Sequence, residues 1–353
     1  MSSASQDLSE QQRPLSAYAV RSSSVMLGRQ DYLSVLLRLI GMELYKIRRR
    51  AMSKVFGIIS PIVVVGAFLV ISLGTIYVVN SPASAFVPPS CTQSNNAPGC
   101  TNQQFSQAQA NQARQDSLQS LSEPLRLPTS FSIATAVINF IGEILIIILA
   151  GSIVGGEYSV GTVRLMFTRG PTRTQFLLGK IGAILACIAL AFVVLTPSGI
   201  LAGLFLNLIS GIVPSYAFFN AAWLGNALLY TVLCMLSVFT YGMMALFIGT
   251  LGRSTAAGVA GALAWALVEP IVGGVLQLIG SLVKGNVGTF LSAIPDYFVN
   301  TNLSALMQNQ GQSIFNGGSS QISNLHALIV IAVYLAAFIG LAWWVSIRRN
   351  ITN

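Results

Sequence analysis

The sequence predicts an all-α integral membrane protein with six transmembrane helices, and three observations lead to that prediction. Of the 353 residues, 54% are apolar and only 8% are charged, whereas about one quarter of the residues in an ordinary soluble domain are charged. Six apolar runs are each long enough to cross a hydrocarbon core, which needs roughly 20 residues of helix. Basic residues concentrate in alternate connections between these runs, which predicts the orientation of the helices.

The chain before the first span divides into two parts. Residues 1–30 are rich in Ser and Gln and have no apolar core, which predicts a disordered cytoplasmic tail and not a cleaved signal peptide. In residues 31–50, apolar residues recur at helical spacing opposite charged ones, which predicts an amphipathic helix in the cytoplasmic membrane interface. A helix packed on a soluble partner is the alternative, and both descriptions can hold together.

The six predicted spans form a transmembrane domain over residues 51–349. The third apolar run is longer than a perpendicular helix needs and contains Pro197, so we expect a kink or a tilt there. The two longest connections, about 80–131 and 282–324, are predicted to lie outside the cell. The spans cover residues 55–79, 132–154, 176–206, 222–249, 256–281 and 325–346.

The net charge of +9 follows the same topology. Of the 19 Lys and Arg residues, only Arg114, Arg126 and Lys284 lie in the connections assigned to the outside. Because positive residues favour the cytoplasmic side, both termini are predicted to be cytoplasmic in a multi-pass protein of the cell membrane. Orientation and contact with anionic membrane lipid account for the charge, so no nucleic-acid partner is predicted.

The first outside loop contains Cys91 and Cys100 in a polar segment. Since the outside of a cell is oxidising in many organisms, we predict a disulfide between these cysteines. A metal site would need more ligands than two thiols, and the segment around them has no His or acidic residue. No metal is therefore predicted.

Two carboxylates lie near the middle of predicted spans, Glu143 in the second and Glu269 in the fifth. Each charged group at that depth costs on the order of 3 kcal/mol. Asn139 shares a helix face with Glu143, and Gln277 shares one with Glu269, so we expect both faces to point into the bundle or toward an aqueous path. Two roles remain open for the carboxylates, namely hydrogen-bonded packing between helices and participation in substrate passage.

The most informative segment is the cytoplasmic connection between the second and third spans, residues 155–180. A short apolar stretch follows Thr162, which is a suitable N-cap, and a series of arginines precedes the next apolar run. The stretch is too short to cross a membrane, which predicts a short helix at the membrane surface. A simple loop would not need this pattern.

This connection resembles that of the type 2 ABC transporter permeases. Glu43 and Lys46 before the first span, the six spans and the inside termini also fit that family, so the resemblance covers most of the chain. The first outside loop is longer than in many members, and Thr172 stands where Ala or Ser is common. The residues of the connection that match in order and spacing are Glu157, Gly161, Thr162, Arg164, Leu165, Pro171, Arg173 and Lys180.

The resemblance implies a non-catalytic permease subunit of an ABC exporter, with a cytoplasmic coupling helix that docks on a separate ATP-binding subunit. This chain would bind no cofactor, and ATP and Mg²⁺ would be held by that subunit. A second permease copy or a related permease would complete the transporter. The expected contacts with the ATP-binding subunit are Glu157, Tyr158, Gly161, Thr162, Arg164, Leu165, Phe167, Arg169, Pro171 and Arg173.

Two other functions remain open from the sequence. An ion-coupled secondary transporter would use Glu143 and Glu269 as proton-binding groups, although the sequence has no detectable inverted repeat. A membrane scaffold or assembly factor would need neither carboxylate. The chain has no GxxxxGK[ST] phosphate-binding loop and no HExxH motif, and its one histidine is His326, so we expect no enzymatic activity in the chain itself.

Overall fold

The computed structural model describes residues 32–82, 85, 107–160, 172–209, 218–283, 285–315 and 317–348. Within these residues the chain is helical and contains no strand. The tail of residues 1–30, the cysteines Cys91 and Cys100, and residues 161–171 of the predicted coupling helix lie outside the described residues. The disordered tail, the disulfide and the coupling helix therefore stay predictions.

Six of the described helices are long and apolar enough to cross a membrane. This confirms the predicted all-α class with six candidate transmembrane helices. These are the second, fourth, fifth, sixth, seventh and tenth in chain order. The helices are α1 (Tyr32–Arg49), α2 (Ala51–Asn80), α3 (Gln107–Ser122), α4 (Thr129–Val160), α5 (Arg173–Ile209), α6 (Ala221–Gly252), α7 (Thr255–Leu282), α8 (Asn286–Ala293), α9 (Val299–Phe315) and α10 (Asn324–Arg348).

The bundle has two ends, which we name by the shorter helices that they carry. Helix α1 packs against the first turns of α5, where Leu39 and Ile40 lie over Gly179 and Gly182. The C-terminal ends of α4, α6 and α10 are at this same end, which we call the α1 end. The opposite end, where α4, α6 and α10 begin, carries α8 and α9 and is called the α9 end.

Helix α4 is the central helix of the bundle. It packs against α2, α5, α6 and α7, and its side chains Ile147, Ala150 and Ile153 are buried. The peripheral helices α2, α7 and α10 instead expose many large apolar side chains, among them Val70, Ile271 and Val333. Exposed apolar surface on this scale suits helices that are surrounded by lipid.

The connection between α6 and α7 consists of two residues, one that ends α6 and one that begins α7. Arg253 adopts a left-handed conformation with φ of 52° and ends α6. Ser254 then begins α7, since its hydroxyl oxygen accepts the backbone N–H of Ala257 at 3.0 Å. Such an N-cap satisfies one of the free backbone donors of a helix start. The two helices are thereby held side by side and antiparallel.

Glycines allow α4, α6 and α7 to approach one another closely. A Cβ atom on Gly258 of α7 would lie 2.9 Å from the Cα atom of Gly249 in α6 and 3.0 Å from the Cα atom of Gly151 in α4. Helices in lipid associate largely through van der Waals packing, for which small residues at the interface are needed. The three glycines therefore form the contact that joins these helices.

Replacing Gly258 by Ala is expected to destabilise the bundle, because the added methyl group has no space between α4 and α6. The expected loss is about 1–3 kcal/mol, as for other overpacked sites. A Cβ atom on Gly274 of the same helix would meet no other atom within 4 Å, so Gly274→Ala is the matched control and should be neutral or slightly stabilising. Thermal unfolding of both variants in detergent checks the prediction, and equal unfolding temperatures would contradict it.

Candidate functional site

Four charged side chains meet at the α1 end of the bundle, and we call them the charge cluster. They are Glu43 and Lys46 of α1, Glu157 in the last turn of α4 and Lys180 near the start of α5. The Lys46 ammonium lies 3.0 Å from Glu43 and 3.1 Å from Glu157. The Lys180 ammonium lies 2.6 Å from Glu157 and 3.8 Å from Glu43. Each carboxylate thus contacts both ammonium groups, and three helices are joined.

The charge cluster is neutral overall and largely removed from solvent. The side chains of Lys180, Glu43 and Glu157 are 1%, 4% and 8% exposed, and only Lys46 is partly open, at 30%. Lys180 also donates a hydrogen bond to the carbonyl oxygen of Ile153 at 3.2 Å. Buried charges are tolerated when they are paired and hydrogen-bonded, and removing one partner leaves the others uncompensated. The cluster therefore depends on all four members.

The pKa of Lys46 is raised above its ordinary value. Partial burial by itself lowers this pKa, but the hydrogen bonds and charges of Glu43 and Glu157 together raise it by more. A raised pKa means that the stability contributed by charged Lys46 is fully present below its ordinary value of 10.5 and is lost only as the pH rises further. Lys46 therefore stays charged across the neutral range.

The start of α5 is held by a second set of contacts, next to the charge cluster. Thr172 and Gln175 form a reciprocal capping box, in which the Gln175 N–H donates to the Thr172 hydroxyl at 3.2 Å and the Thr172 N–H donates to the Gln175 side chain at 3.0 Å. Arg173 donates to the carbonyl oxygens of Ser346 and Ile347, at 3.0 and 2.7 Å. A cation at these carbonyls is favourable because they carry the negative end of the α10 dipole.

Both ends of the undescribed connection 161–171 are therefore attached to the bundle. Glu157 holds its beginning to α1 and α5, and Arg173 holds its end to α10. Of the predicted contacts with an ATP-binding subunit, Glu157 and Arg173 thus have partners within this chain. The backbone of Tyr158 belongs to α4, and Gly161, Thr162, Arg164, Leu165, Phe167, Arg169 and Pro171 lie outside the described residues.

The second candidate site is a cavity of about 500 Å³ between α4, α6 and α9. It reaches from the α9 end to Glu143, which is 14 residues into α4 and therefore about 21 Å along that helix. Phe131, Tyr230 and Phe315 pack together at the α9 end, with centroid separations of 5.4 to 6.0 Å. The polar residues that line the cavity are Ser132, Asn139, Glu143, Ser237, Asn300, Ser304 and Gln308.

Glu143 lies at the inner limit of this cavity. Its Oε1 atom accepts hydrogen bonds from the Asn139 side-chain amide at 2.8 Å and from the Ser237 hydroxyl at 2.7 Å. Asn139 is 8% exposed, and its carbonyl Oδ1 atom is buried without a hydrogen-bond partner. Among the described residues that line the cavity, none is Lys, Arg or His. The carboxylate therefore has hydrogen-bond donors beside it but no cation.

Glu269 has a different environment, because it anchors the start of α9. Its Oε1 atom accepts the backbone N–H of Asn300 at 2.8 Å, and its Oε2 atom accepts the indole N–H of Trp265 at 2.7 Å. A carboxylate at a helix N-terminus is stabilised by the free N–H groups and by the helix dipole. Since Asn300 also lines the cavity, Glu269 positions one wall of the cavity that contains Glu143.

Gln277 was predicted to share the buried helix face of Glu269, but its side chain lies on the exposed surface of α7. Gly273 of the same helix is buried against Phe298, but Gln277 is exposed. Glu269 is covered by the start of α9, whereas Gln277, two turns further along α7, is exposed. Of the four predicted intramembrane polar residues, Asn139 and Glu143 share the cavity, Glu269 supports it and Gln277 is apart from it.

Residues 129–352 match the model of a family described as a protein of unknown function, DUF2705. The chain belongs to this family. No curated protein matches it. The part shared with DUF2705 begins at the start of α4 and contains Glu143, Glu157, Lys180, Glu269 and all of α9. Helix α1, which supplies Glu43 and Lys46, lies before the matched residues.

Two features of this DUF2705 protein were not predicted from the sequence. Residues 282–324 were predicted to form an outside loop in which short re-entrant or interfacial helices could form, but the packing of α9 between α6, α7 and α10, with Asn302 fully buried, was not predicted. Glu43, Lys46 and Lys180 were predicted only as residues that resemble the permease family, and the charge cluster that they form with Glu157 was not predicted. The available signals were the Thr172-x-x-Gln175 capping pattern and the apolar periodicity of residues 299–314.

Replacing Lys180 by Gln is expected to destabilise the protein by roughly 3–5 kcal/mol, because two buried carboxylates would then share only Lys46. The double variant Lys180→Gln/Glu157→Gln should recover part of this loss, since it removes one charge of each sign. Exposed Lys54 is at the same end, and Lys54→Gln is the control. Thermal unfolding in detergent measures all three, and a double variant that is no more stable than Lys180→Gln would contradict charge pairing.

Replacing Glu269 by Gln is expected to leave α9 in place, because an amide oxygen can still accept the Asn300 N–H. Replacing it by Leu, which has no acceptor, should release the first turn of α9. Hydrogen exchange measured by mass spectrometry checks this, with faster exchange over residues 299–305 in Glu269→Leu only. Equal exchange in wild type and Glu269→Leu would show that Glu269 does not hold the helix.

Proposed function

We propose that this chain is the membrane-spanning permease subunit of an ATP-driven ABC exporter. In this proposal a separate ATP-binding subunit hydrolyses ATP, and its movements reach the spans through a coupling helix in residues 161–171. The chain itself performs no catalysis and binds no cofactor. The proposal rests on the resemblance to type 2 ABC permeases, and one structural observation supports it more than any other.

That observation is the attachment of both ends of the connection 161–171. Glu157 is bound to Lys46 and Lys180, and Arg173 is bound to the last turn of α10. A force applied to the connection would therefore act on α1, α4, α5 and α10 together. Packed helices and paired charges transmit displacement because they are not continuously deformable. This is the arrangement that a coupling element needs.

The proposed orientation places the α1 end in the cytoplasm. Helix α1 buries Glu43 and Ile47 against the bundle, while Leu33 and Leu37 are 64% and 60% exposed. Exposed leucines beside Arg48 and Arg49 suit a helix in the membrane interface, with its apolar side in the acyl region and its arginines at the anionic headgroups. Both chain termini are then cytoplasmic in a multi-pass protein of the cell membrane.

A second permease copy, or a related permease, completes the proposed transporter. The long apolar surface of α7 is available to lipid or to that copy, because its large apolar side chains, among them Leu267, Ile271 and Leu278, are exposed. Closed symmetric pairs are the commonest oligomers of soluble proteins, and the same geometry applies to two bundles in a bilayer.

One observation favours an ion-coupled secondary transporter as the second candidate. Glu143 is a carboxylate in a polar cavity at membrane depth, which is the usual location of a proton-binding group. The contacts of Glu269 argue against the two-carboxylate version of that mechanism, since both of its oxygens accept hydrogen bonds that position α9. The second candidate therefore depends on Glu143 alone.

Affinity purification of this chain from its native host in mild detergent tests the proposal. The expected result is a stoichiometric partner that contains a phosphate-binding loop and hydrolyses ATP. The double variant Arg164→Glu/Arg169→Glu should insert normally, because Arg173 and Lys180 remain, and should lose the partner, since docking arginines are expected to contact acidic groups or carbonyls of that subunit.

The matched control is Arg253→Glu, a charge reversal in the connection between α6 and α7 at the same end of the bundle. It should retain the partner and its ATPase activity. A chain that purifies alone and moves protons after reconstitution would overturn the proposal in favour of secondary transport. A double arginine variant that inserts in the opposite orientation would show that these arginines determine topology.

A further inference from the structure

The cavity between α4, α6 and α9 contains the carboxyl group of Glu143, which no basic side chain of the described lining neutralises. Glu143 accepts two hydrogen bonds at Oε1, and its Oε2 atom has no hydrogen-bond partner among the described residues. None of the described residues that line the cavity is Lys, Arg or His. The charge cluster shows the alternative in the same chain, since there each carboxylate contacts two ammonium groups. A carboxylate that is kept at membrane depth without such a partner is open to a cation from outside the protein.

The hydrogen bonds around Glu143 leave two acceptor atoms without a donor among the described residues. The Oδ1 atom of Asn139 is a second acceptor, buried without a partner beside the carboxylate. Ser237 and the Asn139 amide already donate to Oε1. A ligand that adds acceptors would leave both atoms unpaired, whereas a ligand that donates N–H groups would pair with them. Ammonium and amidinium groups are such donors, and they form short, strong hydrogen bonds with carboxylates.

The remainder of the cavity is suited to an apolar body. Phe140, Tyr230, Phe315 and Met307 line it, and aromatic faces attract cations as well as apolar groups. Its volume of about 500 Å³ is within the range of small-molecule pockets, about 300–1,000 Å³. A ligand that presents one cationic group to Glu143 and an aromatic or aliphatic body to these residues would fill it.

The position of Phe140 indicates how such a ligand would enter. Phe140 lines the cavity and is also 67% exposed on the surface of α4. The cavity wall therefore reaches the side of the bundle that faces lipid. Amphipathic cations collect in membranes, with their apolar bodies among the acyl chains. Entry from the bilayer would bring the apolar body to Phe140 and the charge toward Glu143.

We infer that the cavity around Glu143 binds amphipathic organic cations, compounds with an ammonium or amidinium group on an apolar body. As a statement about the transported substrate, this inference rests on the proposed function. As a statement about binding, it concerns this chain alone. Glu143 pairs with the cation, Ser237 and Asn139 hold the carboxylate in place, and α9, anchored by Glu269, closes the cavity from the opposite side.

The test uses 4-phenylbutylamine and its neutral counterpart 4-phenylbutan-1-ol as probes. Binding to the purified chain in lipid nanodiscs is measured by titration calorimetry, with empty nanodiscs subtracted to remove partition into lipid. The wild type should bind the amine saturably and the alcohol much more weakly. Glu143→Gln should weaken amine binding by roughly tenfold or more, as expected for loss of a charge-assisted hydrogen bond, and should leave alcohol binding unchanged.

Three further variants separate recognition from folding. Glu123→Gln removes an exposed carboxylate and should bind the amine as the wild type does. Glu143→Asp keeps the charge and should keep the preference for the amine over the alcohol. Ser237→Ala removes one of the two donors that hold the carboxylate in place and should weaken amine binding while leaving alcohol binding unchanged.

Equal affinity of the wild type for amine and alcohol, equal amine affinity of wild type and Glu143→Gln, or absence of saturable amine binding would each overturn the inference. Failure of the proposed function is read separately, from the absence of an ATP-hydrolysing partner in the purification. A chain that binds the amine but has no such partner supports the binding site and contradicts the ABC permease. A chain that has the partner but does not bind the amine supports the ABC permease and contradicts the binding site.

Discussion

Charged groups removed from water inside a membrane protein must be compensated within the protein, and this requirement organises the α1 end of the bundle. Glu43, Lys46, Glu157 and Lys180 belong to three helices, which their ion pairs join in addition to the apolar contacts. Because each carboxylate contacts both ammonium groups, the relative positions of α1, α4 and α5 are restricted together. The undescribed connection 161–171 begins and ends within this restricted region, which is why its movement would act on several helices.

The same requirement has a different solution at each of the two intramembrane carboxylates. Glu269 is satisfied by a helix start and an indole, and its role is to hold α9 against α7. Glu143 accepts hydrogen bonds from one amide and one hydroxyl at a single oxygen, and the cavity in front of it has both polar and apolar lining residues. One carboxylate therefore completes the fold, and the other is left with capacity to bind. Asn300 connects the two carboxylates, since its backbone N–H donates to Glu269 and Asn300 also lines the cavity that contains Glu143.

Helix α9 has a larger part in this protein than its position in a connecting segment suggests. It contributes Asn300, Ser304 and Gln308 to the cavity and is tied to α6 by Gln310, which donates to Asn226 at 3.2 Å. Without α9, the polar face of α4 would be open, and Glu143 would have neither a cavity nor a barrier against solvent. The segment is thus part of the candidate site, and membrane spans alone do not define that site.

The sequence by itself determined the all-α class, the six candidate spans and the mid-span depth of Glu143 and Glu269, because span length and apolar composition are local properties of the chain. Only the tertiary structure decided that Glu143 faces a cavity, that Glu269 caps α9, that Gln277 is exposed and that four charges meet at the α1 end. Lys46 and Glu157 are 111 positions apart, and Asn300 and Glu269 are 31 apart. Contacts at such separations depend on how the helices pack against one another, and the periodicity of a single helix gives the face of a residue without giving the partner of that face.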